Sequence, residues 1–389
     1  MFLPRLRRVL PALLLFLLLP PSSAQANDLL YLYKLARQRD PVIQAAQLTN
    51  LATRERLRQA YAGFLPTLNF DAGYEYAWQN ILDSDNLLFQ EGKSDFGGHN
   101  FTLTLSQPLF HYAAIVQVRQ AKDVVTRAAF EYLTAEQELV LRVAKLYLEA
   151  LSTQDDLGFA RAEQAALQLH YELAQRQQAK GLVPVTDLYD ARARLTAAEE
   201  RQISAKNALD DALEGLREVS GEWVDSLAGT KKELPLVAPD PAAAEEWTQA
   251  GLKQNLGLQV QGLAVKVAAQ EVERLKAGHF PTLDLVARGN RQRTGGDLFG
   301  EGRETEIMNV RVELKLPLFQ GGLLRSKVKE ATYLYQRTRK EEEQLVRSVE
   351  RLTRSAYWGV ISAIGRVEAL QQSVAALELA LEGRQTGFR

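Results

Sequence analysis

Cysteine is absent from the 389-residue chain, which removes disulfides, thiolate metal sites, a cysteine nucleophile and cysteine-linked lipid anchors. Histidine is scarce, and His99, His111, His170 and His279 have no metal-ligand spacing. An excess of one charge is also lacking: 47 Lys+Arg face 48 Asp+Glu, so no electrostatic footprint for nucleic acid exists. The mean hydropathy of −0.22 is too polar for a bundle of membrane helices. Beyond the N-terminus no stretch is continuously apolar for 18 residues, so any passage through a membrane must be made of strands.

The N-terminus carries Arg5, Arg7 and Arg8, an apolar stretch from Val9 to Leu19, and small residues ending at Ala24-Gln25-Ala26. This is the layout of a secretory signal peptide, residues 1–26, and the apolar stretch falls well short of the ~20 residues of a spanning helix. The remainder holds 44 basic and 48 acidic residues.

The chain is internally duplicated. Ala62-Gly63-Phe64-Leu65-Pro66-Thr67-Leu68-Asn69-Phe70 recurs as Ala277-Gly278-His279-Phe280-Pro281-Thr282-Leu283-Asp284-Leu285, an offset of 215. Gln107-Pro108-Leu109-Phe110 recurs as Leu316-Pro317-Leu318-Phe319, an offset of 209. The lost six residues belong to the intervening loop, where length is least constrained. Each copy reads helix, strand, loop, strand, long helix. The first copy spans 27–220 and the second 242–389, with a Pro- and Gly-bearing linker over 221–241.

From Ala113 to Ala179 there is no proline and a single glycine, Gly158, and Leu139, Val143, Leu146, Tyr147 and Leu151 recur at helical spacing. The stretch from Leu323 to Gly387 is similar. Helices of this size would run about 100 Å, against roughly 50 Å for a compact globule of the same chain, which predicts a coiled-coil body. The competing reading breaks the first at Gly158 and Asp155-Asp156, although one glycine costs only ~1 kcal/mol. Asp40-Pro41 reads as an N-cap and first helical position, so the opening helix divides into 28–39 and 41–62; its counterpart is Asn255-Leu256.

Strict alternation marks the strands. Leu68, Phe70, Ala72, Tyr74, Tyr76 and Trp78 alternate with Asn69, Asp71, Gly73, Glu75, Ala77 and Gln79. Phe101, Leu103 and Leu105 alternate with polar neighbours, as do Val310, Val312, Leu314 and Leu316 with Arg311, Glu313 and Lys315. The strand opening at Leu283 is the weakest, because Val286 falls on its polar side. Pro66, Pro108, Pro281 and Pro317 punctuate the passages between strand and helix. The strand pairs lie within 67–107 and 282–317, with outer loops over 81–98 and 291–308. A half-buried sheet on a soluble core would alternate in the same way. Strand length, aromatic residues near the strand ends and export favour a membrane sheet. Four strands cannot close a barrel, and open edges in lipid are costly, so membrane strands require oligomerisation.

These features resemble the TolC family of trimeric outer-membrane efflux and secretion channels. The resemblance is carried by Leu65-Pro66-Thr67-Leu68 and Phe280-Pro281-Thr282-Leu283, by Leu316-Pro317-Leu318-Phe319-Gln320-Gly321-Gly322, and by Gly181-Leu182-Val183-Pro184-Val185-Thr186-Asp187-Leu188. It implies a mixed α and β fold in a homotrimer, with a 12-stranded barrel in the outer membrane of a Gram-negative bacterium and a helical tunnel through the periplasm. It further implies a periplasmic adaptor protein docking at Gly181, Leu182 and Val183, a closed-state latch at Thr186 and Asp187, and an inner-membrane pump or ABC transporter as energy source. The bare residues fit equally an ordinary interhelical turn with Asp187 capping the next helix. On the channel reading Asn69, Asp71, Glu75, Glu313 and Lys315 face the lumen, and Leu68, Phe70, Tyr74, Leu103 and Leu314 face lipid. The second copy stops before any counterpart of Gly181 to Gly221, so the resemblance implies a further helix beyond Arg389, and Phe388 stands where some relatives carry a latch tyrosine.

No cofactor, metal or catalytic group is expected. Gly92-Lys93-Ser94 is similar to the end of a phosphate loop but has Leu87 where glycine is needed. Glu199-Glu200 and Glu341-Glu342-Glu343 read as solvated helix faces. The alternative to a channel is a soluble periplasmic coiled-coil scaffold or adaptor.

Overall fold

The computed structural model describes residues 28–83, 91–224, 226–230, 235–297 and 300–387. The signal-peptide reading, residues 84–90 of the first outer loop, part of the linker and Phe388 lie outside the described residues. The chain divides into two compact units, 1–46 with 135–235, and 47–134 with 236–389.

Helix α1 (Leu29–Arg39) and helix α2 (Pro41–Ala62) are separated at Asp40, as expected from Asp40-Pro41. Asp40 has extended backbone geometry and its carboxylate accepts the Val42 N–H at 3.2 Å. The second copy repeats the device: α5 (Ala244–Gln254) gives way to α6 (Leu256–Lys276) at Asn255, whose Oδ1 accepts the Leu258 N–H at 3.0 Å. A short polar side chain satisfies a helix-start N–H that would otherwise lack a partner.

Helix α3 (Tyr112–Ala179) runs unbroken through Gly158 for 68 residues, about 100 Å at 1.5 Å per residue. Helix α7 (Leu323–Gly387) is its counterpart. In the first unit Leu139, Val143, Tyr147, Ala150, Leu157 and Ala160 of α3 are buried, as are Leu195, Ala198, Leu216 and Val219 of α4 (Val185–Ser220). The three- and four-residue spacing makes one apolar stripe on each helix, as a two-helix seam demands. The linker is more than a spacer: Val224 and Leu227 are buried, and the Tyr147 hydroxyl donates to the Ala228 carbonyl.

The second unit carries one antiparallel sheet in the order β1 (Thr67–Ile81), β2 (Gly92–Phe110), β3 (Thr282–Asp297), β4 (Gly300–Lys315). The two strand pairs are joined through β2 and β3, with Ser106 opposite Val286. Two expected outer loops are therefore corrected: residues 92–98 and most of 291–308 are strand. Hydropathy alternation stops there, but backbone pairing continues, with Arg291 opposite Glu306, Arg293 opposite Glu304 and a diagonal ion pair between Arg291 and Glu304 at 2.6 Å. Glycines also blank the pattern while serving close approach. A Cβ at Gly98 would lie 2.8 Å from the Arg293 carbonyl oxygen, and one at Gly295 would lie 2.7 Å from that of Gly97. Beneath the sheet, Ala60, Val118 and Ala121 pack with Leu57 and Phe64.

Candidate channel sheet and helical tip

Antiparallel register decides which residues share a face. Leu68 lies opposite Leu105, Phe70 opposite Leu103, Leu103 opposite Gly289, Leu105 opposite Ala287, Ala287 opposite Val310, and Leu283 opposite Leu314. One face is thus apolar across all four strands. The other carries Asn69, Asp71 and Glu75 on β1, Thr102 and Thr104 on β2, Arg288 and Asn290 on β3, and Arg311, Glu313 and Lys315 on β4. On this polar face the Asn290 side chain donates to Asn100 Oδ1 at 2.6 Å and to Thr102 Oγ1 at 2.9 Å. Glu313 is held by both Arg311 and Lys315. The weak point at Val286 is resolved by packing, since that side chain is buried among its polar neighbours.

The apolar face is bare: Leu68, Phe70, Leu103 and Leu314 are 64, 66, 47 and 69% exposed. Each such side chain forgoes ~1.5–3 kcal/mol when left in water, so this face calls for a nonaqueous medium or a covering. Tyr74 differs from the other four. It pairs with His99, which pairs with Arg293, which pairs with Glu304, so it lies in a polar-rimmed row. With Tyr76 and Trp78, whose rings meet edge to face at 4.9 Å, it forms an aromatic margin at one end of the apolar face.

Where the sheet meets the helices of its unit, polar contacts tie the two together. His111 Nε2 lies 2.9 Å from Asp284 Oδ1. The Tyr112 hydroxyl donates to Glu273 of α6 at 2.5 Å, and Arg119 reaches the same carboxylate at 3.0 Å. The Tyr112 hydrogen bond, reinforced by Arg119, holds the Glu273 carboxyl below the ordinary carboxylate range. Glu271 is lowered as well, chiefly by Arg274, with Gln120 also donating to it. Apart from Arg274, three residues from Glu271 on the same helix, these partners were not evident from sequence, because they stand more than 150 residues apart.

The α3–α4 turn is built on Gly181 at φ +69°, a left-handed conformation that glycine adopts without cost. The Leu182 N–H donates to the Gln177 carbonyl at 3.0 Å and the Gly181 N–H to that of Gln178 at 2.9 Å, the paired bonds of a Schellman C-terminus. Asp187 is not the cap of the next helix: Pro184 occupies that position and Asp187 sits in the first turn, where a carboxylate complements the helix dipole. Thr186 Oγ1 lies 3.4 Å from Asp187 Oδ1, and both residues are exposed. Leu182 is 70% exposed and Val183 is half-buried, leaving an apolar tip open.

The family model described as "Outer membrane efflux protein" matches residues 32–222 and 247–389. The chain belongs to this family. It is 30% identical over 369 residues to outer membrane protein TolC of Vibrio cholerae, covering 94% of this chain and 82% of the relative. It is 29% identical over 379 residues to the proteases secretion protein PrtF of Dickeya chrysanthemi, covering 97% and 82%. Among solved structures it is similar to CusC, with a TM-score of 0.72 at 18% identity over 93% of this chain and 82% of that one. It is also similar to VceC of Vibrio cholerae, with a TM-score of 0.69 at 19% identity over 91% and 84%. As an outer membrane efflux protein the chain is an outer-membrane transport channel rather than a soluble periplasmic scaffold, and among the described residues no helix is long and apolar enough to cross a membrane.

Proposed function

We propose that three copies of the chain close a 12-stranded barrel and conduct cargo passively from an inner-membrane pump or ABC transporter to the exterior. The observation that carries this is a sheet of four strands, apolar on one face and polar on the other, with β1 and β4 as its edges. An edge strand in lipid leaves backbone groups without partners at several kcal/mol each, and identical neighbours remove that penalty. Asn69, Asp71, Glu75, Glu313 and Lys315 line the water path, while Leu68, Phe70, Leu103 and Leu314 contact acyl chains and Tyr74 contacts the headgroup zone. A periplasmic adaptor docks on the Gly181-Leu182-Val183 tip, whose open Leu182 suits an apolar groove on a partner helix pair. Thr186 and Asp187 hold the closed state. The chain is exported by residues 1–26, its two repeats supply equivalent halves of each subunit, and it catalyses no reaction.

The test is expression of the full chain in a Gram-negative host lacking its own outer-membrane efflux channel. Trimers in the outer-membrane fraction and conductance in planar bilayers are expected. Recovery of a monomer in the periplasmic extract would refute the reading.

A further inference from the structure

The two repeats specify how one subunit joins the next, and this inference rests on the trimeric barrel proposed above. Thr67 lies opposite Ser106, and Ser106 opposite Val286, whereas the repeat counterpart of Thr67 is Thr282. The second copy is therefore displaced by four residues along the register. The same step appears in the other strand: Val286 lies opposite Arg311, whereas the counterpart of Ser106 is Lys315. A joint between subunits that copies the joint between repeats keeps this advance, and with it the strand tilt, equal all the way round a closed ring.

We infer that β4 of one subunit pairs with β1 of the next in the register of the β2–β3 pair, placing Lys315 opposite Asp71 and Arg311 opposite Glu75 of the partner subunit. The pairs follow from carrying Ser106↔Val286 and Thr102↔Asn290 through the two offsets, 209 forward for β2 and 215 back for β3. The charges were not used in deriving the register, yet both pairs are complementary. On the other face the same operation sets Leu314 against Ala72, Val312 against Tyr74, Val310 against Tyr76 and Met308 against Trp78, so the apolar surface continues without a break. A slip of one residue would exchange the faces. A slip of two in either direction sets Glu313 against Asp71 or against Glu75, and like charges directly opposite are destabilising.

A second feature points the same way. β2 has a neighbour on both sides and runs to Phe110, with an irregularity between Pro108 and Phe110. β4 has one neighbour and ends at Lys315, leaving Leu318 and Phe319 each 88% exposed. Pairing with β1 extends β4 through Phe319 and sets Pro317 opposite Asn69, as Pro108 stands opposite Asp284.

The chain has no cysteine, so engineered pairs report contacts without background. Directly opposite Cβ atoms approach to about 4.5–5.5 Å while diagonal neighbours stay about 7–8 Å apart, so only the true partner can be oxidised to a disulfide. Full-length Asp71→Cys/Lys315→Cys and Glu75→Cys/Arg311→Cys, in native outer membranes, should give covalent dimers and trimers on mild oxidation. Asp71→Cys/Glu313→Cys and Asp71→Cys/Arg311→Cys should not. Cross-linking of either control in place of the expected pairs, or trimers with no cross-link in any pair, overturns the register. Absence of trimers in the unmodified protein instead overturns the barrel. As a second readout, Asp71→Lys should reduce trimer yield and Lys315→Asp should restore it, and failure of restoration in an otherwise folded protein counts against the pairing.

Discussion

Placing a charge on Leu103 tests the assignment of the apolar face at its centre. Leu103 stands between Phe101 and Leu105 on β2, with Phe70 and Gly289 opposite it on the flanking strands. The nearest charges on that face, Arg291 and Glu306, belong to the next row outward. A Leu103→Arg side chain near midplane should cost about 2–4 kcal/mol per chain, and therefore about 6–12 kcal/mol per trimer. Tyr74→Arg enters a row already holding His99, Arg293 and Glu304, where the interfacial cost is ~0–1 kcal/mol. Asn69→Arg, on the polar face, should be tolerated. Guanidinium unfolding from lipid vesicles, read as the shift in midpoint at constant slope, gives the three values in one series. If Leu103→Arg and Asn69→Arg agree within about 0.5 kcal/mol, a difference too small for a lipid-facing arginine, the assignment of the two faces is wrong.

Other parts of the molecule give sharper local tests. Gly181→Ala forces a Cβ into the left-handed region at φ +69° and should cost roughly 1–2 kcal/mol, measured as a lower thermal midpoint of the α3–α4 hairpin. Asp40→Ala removes both the hydrogen bond to the Val42 N–H and the ion pair to Arg142 from a site where Asp40 is 2% exposed; the lost cap alone should cost ~0.5–2 kcal/mol in chemical denaturation. Glu273 has its carboxyl held below the ordinary range by Tyr112 and Arg119. Its contribution is complete above the unfolded-state value and lost as pH falls through the lower folded value. Glu273→Gln should therefore flatten the acid limb of helical circular dichroism, and an unchanged acid limb would refute that linkage.

Much of the architecture was legible because it rests on local chemistry. The breaks at Asp40 and Asn255 follow from a capping side chain, and the passage of α3 through Gly158 from the small cost of one glycine in a long favourable stretch. The four strands were visible wherever lipid or water demands alternation. Their outer halves were not: Gly97, Gly98 and Gly295 and the Arg291, Arg293, Glu304 and Glu306 rows carry no hydropathy contrast, although their backbones pair without interruption. The outer loops over 81–98 and 291–308 were consequently drawn too wide.

The polar ties beneath the sheet were hidden for a different reason. Tyr112, Arg119 and Glu273 are ordinary residues on ordinary helix faces, and what unites them is a meeting of α3 with α6 that no local pattern encodes. The duplication, by contrast, encodes long-range geometry in local letters. Thr67 and Thr282 name equivalent positions, and once one register is known their four-residue displacement fixes how far each repeat advances around a closed ring. Sequence alone supplied the equivalence and the backbone pairing supplied the displacement. Together they lead to the proposed pairing of Lys315 with Asp71 of the partner subunit, in which the joint between subunits repeats the joint within one.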